Sequence, residues 1–171
     1  MIERKDANVV VEHQPGGVSA GDTLSVRADD VAIFSRGPQP IRVLQAGSYQ
    51  VPAEFAGPDM EVYFVSTRPQ PGEKFGGPLG GGLPVRMAFG QFTWKVVEPE
   101  KAVSAGAAKA DDFRRFIVQH TLTATKHVVA RTTAKGGQLD PLQLQTDIAG
   151  EANRQLASKG AMIEVSELTL R

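Results

Sequence analysis

The sequence predicts an α+β fold, in which a curved, mainly antiparallel sheet of N-terminal strands plus a C-terminal strand packs against two helices. Three observations carry this expectation. Nearly every proline and most glycines precede Pro99 and cut that half into short apolar runs, whereas two long stretches after Pro99 repeat apolar residues at helical spacing. Residues 162–170 then return to strand-like alternation. A chain of 171 residues buries about 70 % of its unfolded surface. We therefore expect one domain over 1–171, strand-rich over 1–97 and helical with a terminal strand over 98–171.

In the first half, strands are expected at residues 8–11, 23–27, 31–35, 41–44, 48–51, 61–66 and 85–97. The segment Arg36-Gly37-Pro38-Gln39-Pro40 separates two apolar runs; its glycine permits positive φ and its prolines stop a ladder, so a hairpin connection is expected there, with Val31 and Ile41 in one sheet. Residues 69–84 hold six glycines and four prolines, which predicts a long surface loop. Beyond it, Val85, Met87 and Phe89 fall on one face of a strand and Phe92, Trp94 and Val96 on the other. Bulk on both sides predicts a central strand covered twice, with a bend at Gly90 where the apolar parity changes.

A helix is expected over 111–134, because Phe113, Phe116, Ile117, His120, Ala124 and Val128 share a face. Asp111 and Asp112 suit its start, Lys126, Arg131 and Lys135 its end, and Gly136-Gly137 stops it. Asp140-Pro141 opens a second helix carrying Leu144, Ile148, Ala152 and Gln155 or Leu156, which Lys159-Gly160 ends. In the last strand Ile163 and Val165 share one parity and Leu168 and Leu170 the other, placing a bulge near Ser166 and returning the chain to the first-half sheet.

These segments resemble a known family. Asp30-Val31-Ala32-Ile33-Phe34, then Arg36-Gly37 and Gln45-Ala46-Gly47-Ser48-Tyr49, resembles the opening hairpin of stomatin, prohibitin and flotillin (SPFH, or band 7) domains. The stretch from Pro84 to Val96, PVRMAFGQFTWKV, followed by Glu98-Pro99-Glu100-Lys101-Ala102, resembles that family's core strand and short helix, and Gly160-Ala161-Met162-Ile163-Glu164-Val165 resembles its closing strand. The resemblance covers residues 20–171 and looks nearest to soluble bacterial members of the virion-core-like branch. It implies a non-enzymatic, oligomerising scaffold that organises or recruits proteins in a membrane-associated assembly. A virion-like particle component and a small-ligand binding module are the alternatives. Such relatives usually continue into a long coiled coil, whereas this sequence stops at Arg171.

Composition narrows the remaining choices. Lys plus Arg and Asp plus Glu each number 19, so no net field gathers a polyanion and nucleic acid is not an expected partner. No cysteine occurs, which removes thiolate chemistry and suits a cytoplasmic address, with attachment to the inner face of the membrane at most peripheral. The opening residues carry charges where a signal peptide needs apolar ones, and no apolar run is long enough to span a bilayer. His120 and His127 are seven residues apart, too far for joint chelation, so no metal site and no cofactor are expected.

Gly76 to Gly82 lacks the Lys-Ser or Lys-Thr of a phosphate loop, and no Gly-x-Ser-x-Gly elbow exists, so no catalytic residues are assigned. The paired acids are read as helix caps. The candidate interaction residues are instead Phe75 and Leu79, apolar groups in the expected loop, and Arg114, Arg115, Lys126 and Arg131, a basic helix side suited to anionic headgroups. Self-association and an unidentified protein client are the expected partnerships.

Overall fold

The computed structural model describes residues 1–105 and 110–171, with the backbone alone for Ala110, Asp111 and Asp112. The class is α+β: the described residues form ten strands and three α-helices. The strands are divided among three sheets rather than joined in one. The chain forms two compact units, Met1–Arg68 with Val96–Phe113, and Pro69–Lys95 with Arg114–Arg171.

The first unit holds β1 (Ile2–Glu3), β2 (Val11–Gln14), β3 (Thr23–Val26), β4 (Asp30–Arg36), β5 (Gln39–Leu44), β6 (Gly47–Gln50), β7 (Met60–Ser66) and α1 (Pro99–Ser104). One sheet runs β1-β3-β6 and the other β2-β7-β4-β5. Strand alternation sends Ala32, Phe34, Met60, Val62 and Phe64 to one side of the larger sheet, where they meet Leu24 and Val26 of β3 in a shared core. Val31, Ile33 and Val65, on the opposite side, are buried as well. Helix α1 packs against β4 and β5 and buries Ala102 and Val103.

The expected hairpin joins β4 to β5. Arg36 opposes Gln39, and Gly37 has φ 57°, the sign a two-residue hairpin turn requires. The N-terminal segment is tied down by Arg4, whose guanidinium pairs with Asp30 and donates to the Val9 carbonyl, while its Nε donates to Asp6 O at 2.9 Å. The Arg4 and Asp30 side chains are only 2 % and 4 % exposed, so removing either partner strands a charge without water.

The second unit contains β8 (Gln70–Pro78), β9 (Met87–Val96), α2 (Ala110–Ala134), α3 (Pro141–Leu156) and β10 (Ala161–Leu170), in the sheet order β10-β9-β8. The terminal strand therefore pairs with β9 and not with the N-terminal strands. Arg171 N donates to Met87 O at 2.9 Å, and Ser166 Oγ reaches Gln91 O at 3.1 Å, so β10 runs antiparallel to β9. Its buried parity changes between Val165 and Leu168, at the expected irregularity.

Two expectations for this region are corrected. Most of the expected 69–84 loop is strand β8, which pairs with β9 from Gln70↔Trp94 to Pro78↔Met87; the loop is confined to residues 79–86. Prolines survive in β8 because it is an edge strand, where a missing N–H breaks no ladder. Strand β9 is also covered on one side only: Ala88, Phe92 and Trp94 are buried while Phe89 is 42 % exposed, so the parity does not change at Gly90. The register irregularity lies in β8, between Gln70 and Glu73. Gly90 instead makes room for its cross-strand partner Phe75, whose ring would stand 2.5 Å from a Cβ placed there.

Helix α2 begins and ends within a residue of expectation, and Gly136 closes it with φ 68° while its N–H donates to Thr133 O at 2.9 Å. The expected capping by Asp111 and Asp112 concerns side chains outside the described residues. Ile117, Thr121, Ala124, Thr125 and Val128 form the buried stripe; the two hydroxyls donate back to Ile117 O and Thr121 O at 2.9 and 2.8 Å. Asp140 caps α3 by accepting from Leu142 N at 3.2 Å, Pro141 occupies the first turn, and Leu144, Ile148, Ala152 and Leu156 are buried. After one 3-10 turn, Gly160 at φ 68° turns the chain into β10, against which α3 packs. No described helix is long and apolar enough to cross a membrane.

Candidate functional site

One face of the β8-β9-β10 sheet carries the side chains that helices do not cover. Alternation along β9 points Met87, Phe89, Gln91, Thr93 and Lys95 away from the buried residues Ala88, Phe92 and Trp94. Opposite them, β8 contributes Gly76 and Lys74 to the same face, and Met162 and Glu164 of β10 are exposed beside it. Phe89 is 42 % and Met162 45 % exposed.

The flatness of the face is written into its glycines. A Cβ on Gly76 would lie 2.6 Å from the Phe89 ring, and one on Gly72 would collide with the Gln91 amide. The Phe89 ring and the Gln91 amide of β9 therefore lie across β8, making a mixed apolar and polar strip. Beside the strip, Pro69, Thr93, Lys95, Met162 and Glu164 line a shallow groove of about 140 Å³. Both signs of charge border it.

Both edges of this sheet are interrupted. β8 contains Pro71 and Pro78, which lack N–H donors, and its irregularity between Gln70 and Glu73 breaks the line of partners. On β10, the Asn153 side chain of α3 imitates a neighbouring strand: its Nδ2 donates to Ile163 O at 3.0 Å and its Oδ1 accepts from Ile163 N at 2.7 Å.

The residues singled out from the sequence sit elsewhere. Phe75 and Leu79 are 4 % and 5 % exposed, because β8 turns them inward: Phe75 packs on Phe92 with ring centroids 6.0 Å apart, and Leu79 on Ala88 and Val129. Neither is a surface group. Arg114 bonds Glu73 at 2.5 Å, Arg131 approaches Glu151 to 3.5 Å, Arg115 is exposed and Lys126 half-buried. At 3.6 residues per turn these four spread over about 220° of the helix, so they do not form one basic stripe.

Glu151 of α3 is the electrostatic centre between the helices of this unit. It accepts from Arg154 and from Gln155 at 3.4 Å, with Arg131 at 3.5 Å and His127 at 4.0 Å. Burial works to raise its pKa, but the bonds and charges of Arg154, Gln155 and Arg131 outweigh it and hold the carboxyl below its usual range. In the first unit His13 stacks on Tyr63, with centroids 4.7 Å apart, and Tyr63 Oη donates to Glu61 at 3.1 Å. Burial first, then the hydrogen bond and charge of Glu61, push Tyr63 up to about 12. Among the described residues no group of three or more His, Cys, Asp or Glu is placed to hold a metal ion.

Phe89 was legible as apolar but not as exposed. The signal was in its neighbours: Gln91, Thr93 and Lys95 share its parity, and a strand face that mixes polar with apolar groups is a surface face. No protein-family model and no curated protein matches this chain.

Proposed function

We propose that this chain is a non-enzymatic scaffold domain that self-associates through the open face of the β8-β9-β10 sheet and so gathers proteins in a membrane-associated assembly. The carrying observation is the exposure of Phe89 and Met162 on the open face of this sheet. A second copy suits the face because Lys74 and Lys95 accompany Glu164 on it, so two copies related by a two-fold axis can set opposite charges together. With 19 basic and 19 acidic residues, copies do not repel each other at long range. The membrane and client parts rest on the resemblance to SPFH domains.

Size decides how strong the contact is. Strands of 9, 10 and 10 residues make a face of about 33 Å by 14 Å, or about 470 Å² on each partner. A stable specific interface needs about 800 Å² on each side. One face therefore gives a weak, reversible pairing of two copies, and any larger assembly draws on contacts besides this face. The basic groups of α2 support lipid contact less well, since Arg114 and Arg131 already face carboxylates.

Sedimentation velocity over a wide concentration range tests this. The wild type should show a rising sedimentation coefficient, and Phe89→Asp should stay monomeric throughout. A wild type that remains monomeric at the highest concentration, or a Phe89→Asp variant that associates equally well, refutes the proposal. Flotation with anionic vesicles separately tests lipid contact.

A further inference from the structure

The first unit contains a cleft that the docking face does not use. We propose that it binds a small aromatic zwitterion of amino-acid size, with Arg42 taking the carboxylate and Glu54 the ammonium group. The cleft holds about 200 Å³, the space of about seven waters, which suits an amino acid and is too small for a nucleotide. It opens where β5 and β6 face each other across Phe34, and its walls are apolar: Leu44, Tyr49 and Phe55.

The walls are held in place before any ligand arrives. Phe55 stacks on Phe34 with centroids 5.2 Å apart and planes 16° from parallel. Tyr49 Oη donates to Gln45 O at 3.0 Å, and its ring lies so close to Gly47, with φ 153°, that a Cβ there would come within 3.3 Å of two ring carbons. Preorganised walls lower the ordering cost of binding.

Charge at the mouth selects the ligand. Arg42 stands 5.9 Å from the Phe55 ring centroid, near the outer limit of a cation–π contact, and has no carboxylate partner among the described residues. Elsewhere Arg4, Arg36, Arg114, Arg131 and Arg154 all face a carboxylate. Glu54 lines the same mouth without pairing with Arg42 or with any other cation among the described residues. A purely anionic ligand would meet repulsion from Glu54, and a purely cationic one from Arg42. A molecule with both charges at one end and a ring at the other satisfies both and fills the apolar interior.

The test is a nuclear magnetic resonance titration of the full chain with L-phenylalanine, phenylpropionate, phenethylamine and uncharged phenylpropanol. L-phenylalanine should shift amides over residues 42–55 with an affinity on the order of millimolar, and the other three should bind about tenfold more weakly. Arg42→Gln and Glu54→Gln, both at exposed positions, should each abolish that preference; Leu44→Trp, filling the cleft, should remove all four responses. Absence of shifts with L-phenylalanine, or equal affinity for the four compounds, overturns the proposal. Shifts confined to the β8-β9-β10 face also overturn it.

Discussion

Replacing Gly90 with alanine adds one methyl group at a crowded point of the second unit. That methyl meets the Glu167 carbonyl of β10 on one side and two carbons of the Phe75 ring, at 2.5 Å, on the other. Overpacking of this kind typically costs about 1–3 kcal/mol. The upper end applies here, because a backbone carbonyl has no rotamer to escape into and Phe75 is itself packed on Phe92. A loss of about 3 kcal/mol is a large share of the total stability of a domain and corresponds to about 6–12 °C in Tm for a chain of this length.

Trp94 is the sole tryptophan, is buried, and lies on the same strand as Gly90, so its fluorescence during urea or thermal unfolding reports on this sheet directly. Adding Phe75→Leu removes the ring and relieves part of the collision. The double variant should therefore lose about 1 kcal/mol less than the sum of the two single losses. A Gly90→Ala protein within about 0.5 kcal/mol of wild type would refute the packing described for Phe75 and β10.

Other perturbations have equally direct readouts. Asn153→Ala leaves the Ile163 N–H and carbonyl without their partner, which should cost about 1–3 kcal/mol and speed hydrogen exchange at the Ile163 amide; unchanged exchange would contradict the edge-capping role. Glu151 is held below its ordinary pKa of 4.5, so its contribution to stability is complete above that pH and is lost as pH falls through the lower folded value. The Tm gap between wild type and Glu151→Gln should accordingly narrow below pH 4.5, and a gap independent of pH would sink the assignment. Tyr63 is raised from 10.0 to about 12, so the folded state keeps a proton that the unfolded chain releases, and stability should fall as pH rises from 10.0 through about 12. Absorbance titration should show this tyrosine ionising late, and earlier in Glu61→Gln.

The helices were readable almost to the residue because their signals are local. Asp140-Pro141 and Gly136 specify a start and a stop through backbone chemistry that needs no distant partner. Strand positions were also legible where short apolar runs stand between turn residues, as in β4 and β7. Sheet membership was not, since alternation says which residues share a face but not which strand lies alongside. β8 was missed for a related reason: its glycines read as freedom, whereas in the fold Gly72 and Gly76 are spaces filled by Gln91 and Phe89 of the next strand. The same blindness hid the open face of the β8-β9-β10 sheet and the cleft. Arg42, Glu54 and Phe55 come together only when β5 and the turn after β6 meet, and nothing in their spacing announces it.

The Asn153 amide on β10 and the prolines of β8 have a consequence for how copies of this chain accumulate. Strands that recruit strands grow without limit, because each addition exposes a fresh row of donors and acceptors like the last. Two flat surfaces meeting about a two-fold axis instead use each other up, and the pair presents nothing new to a third copy. Association through this face should therefore yield discrete pairs that come apart on dilution.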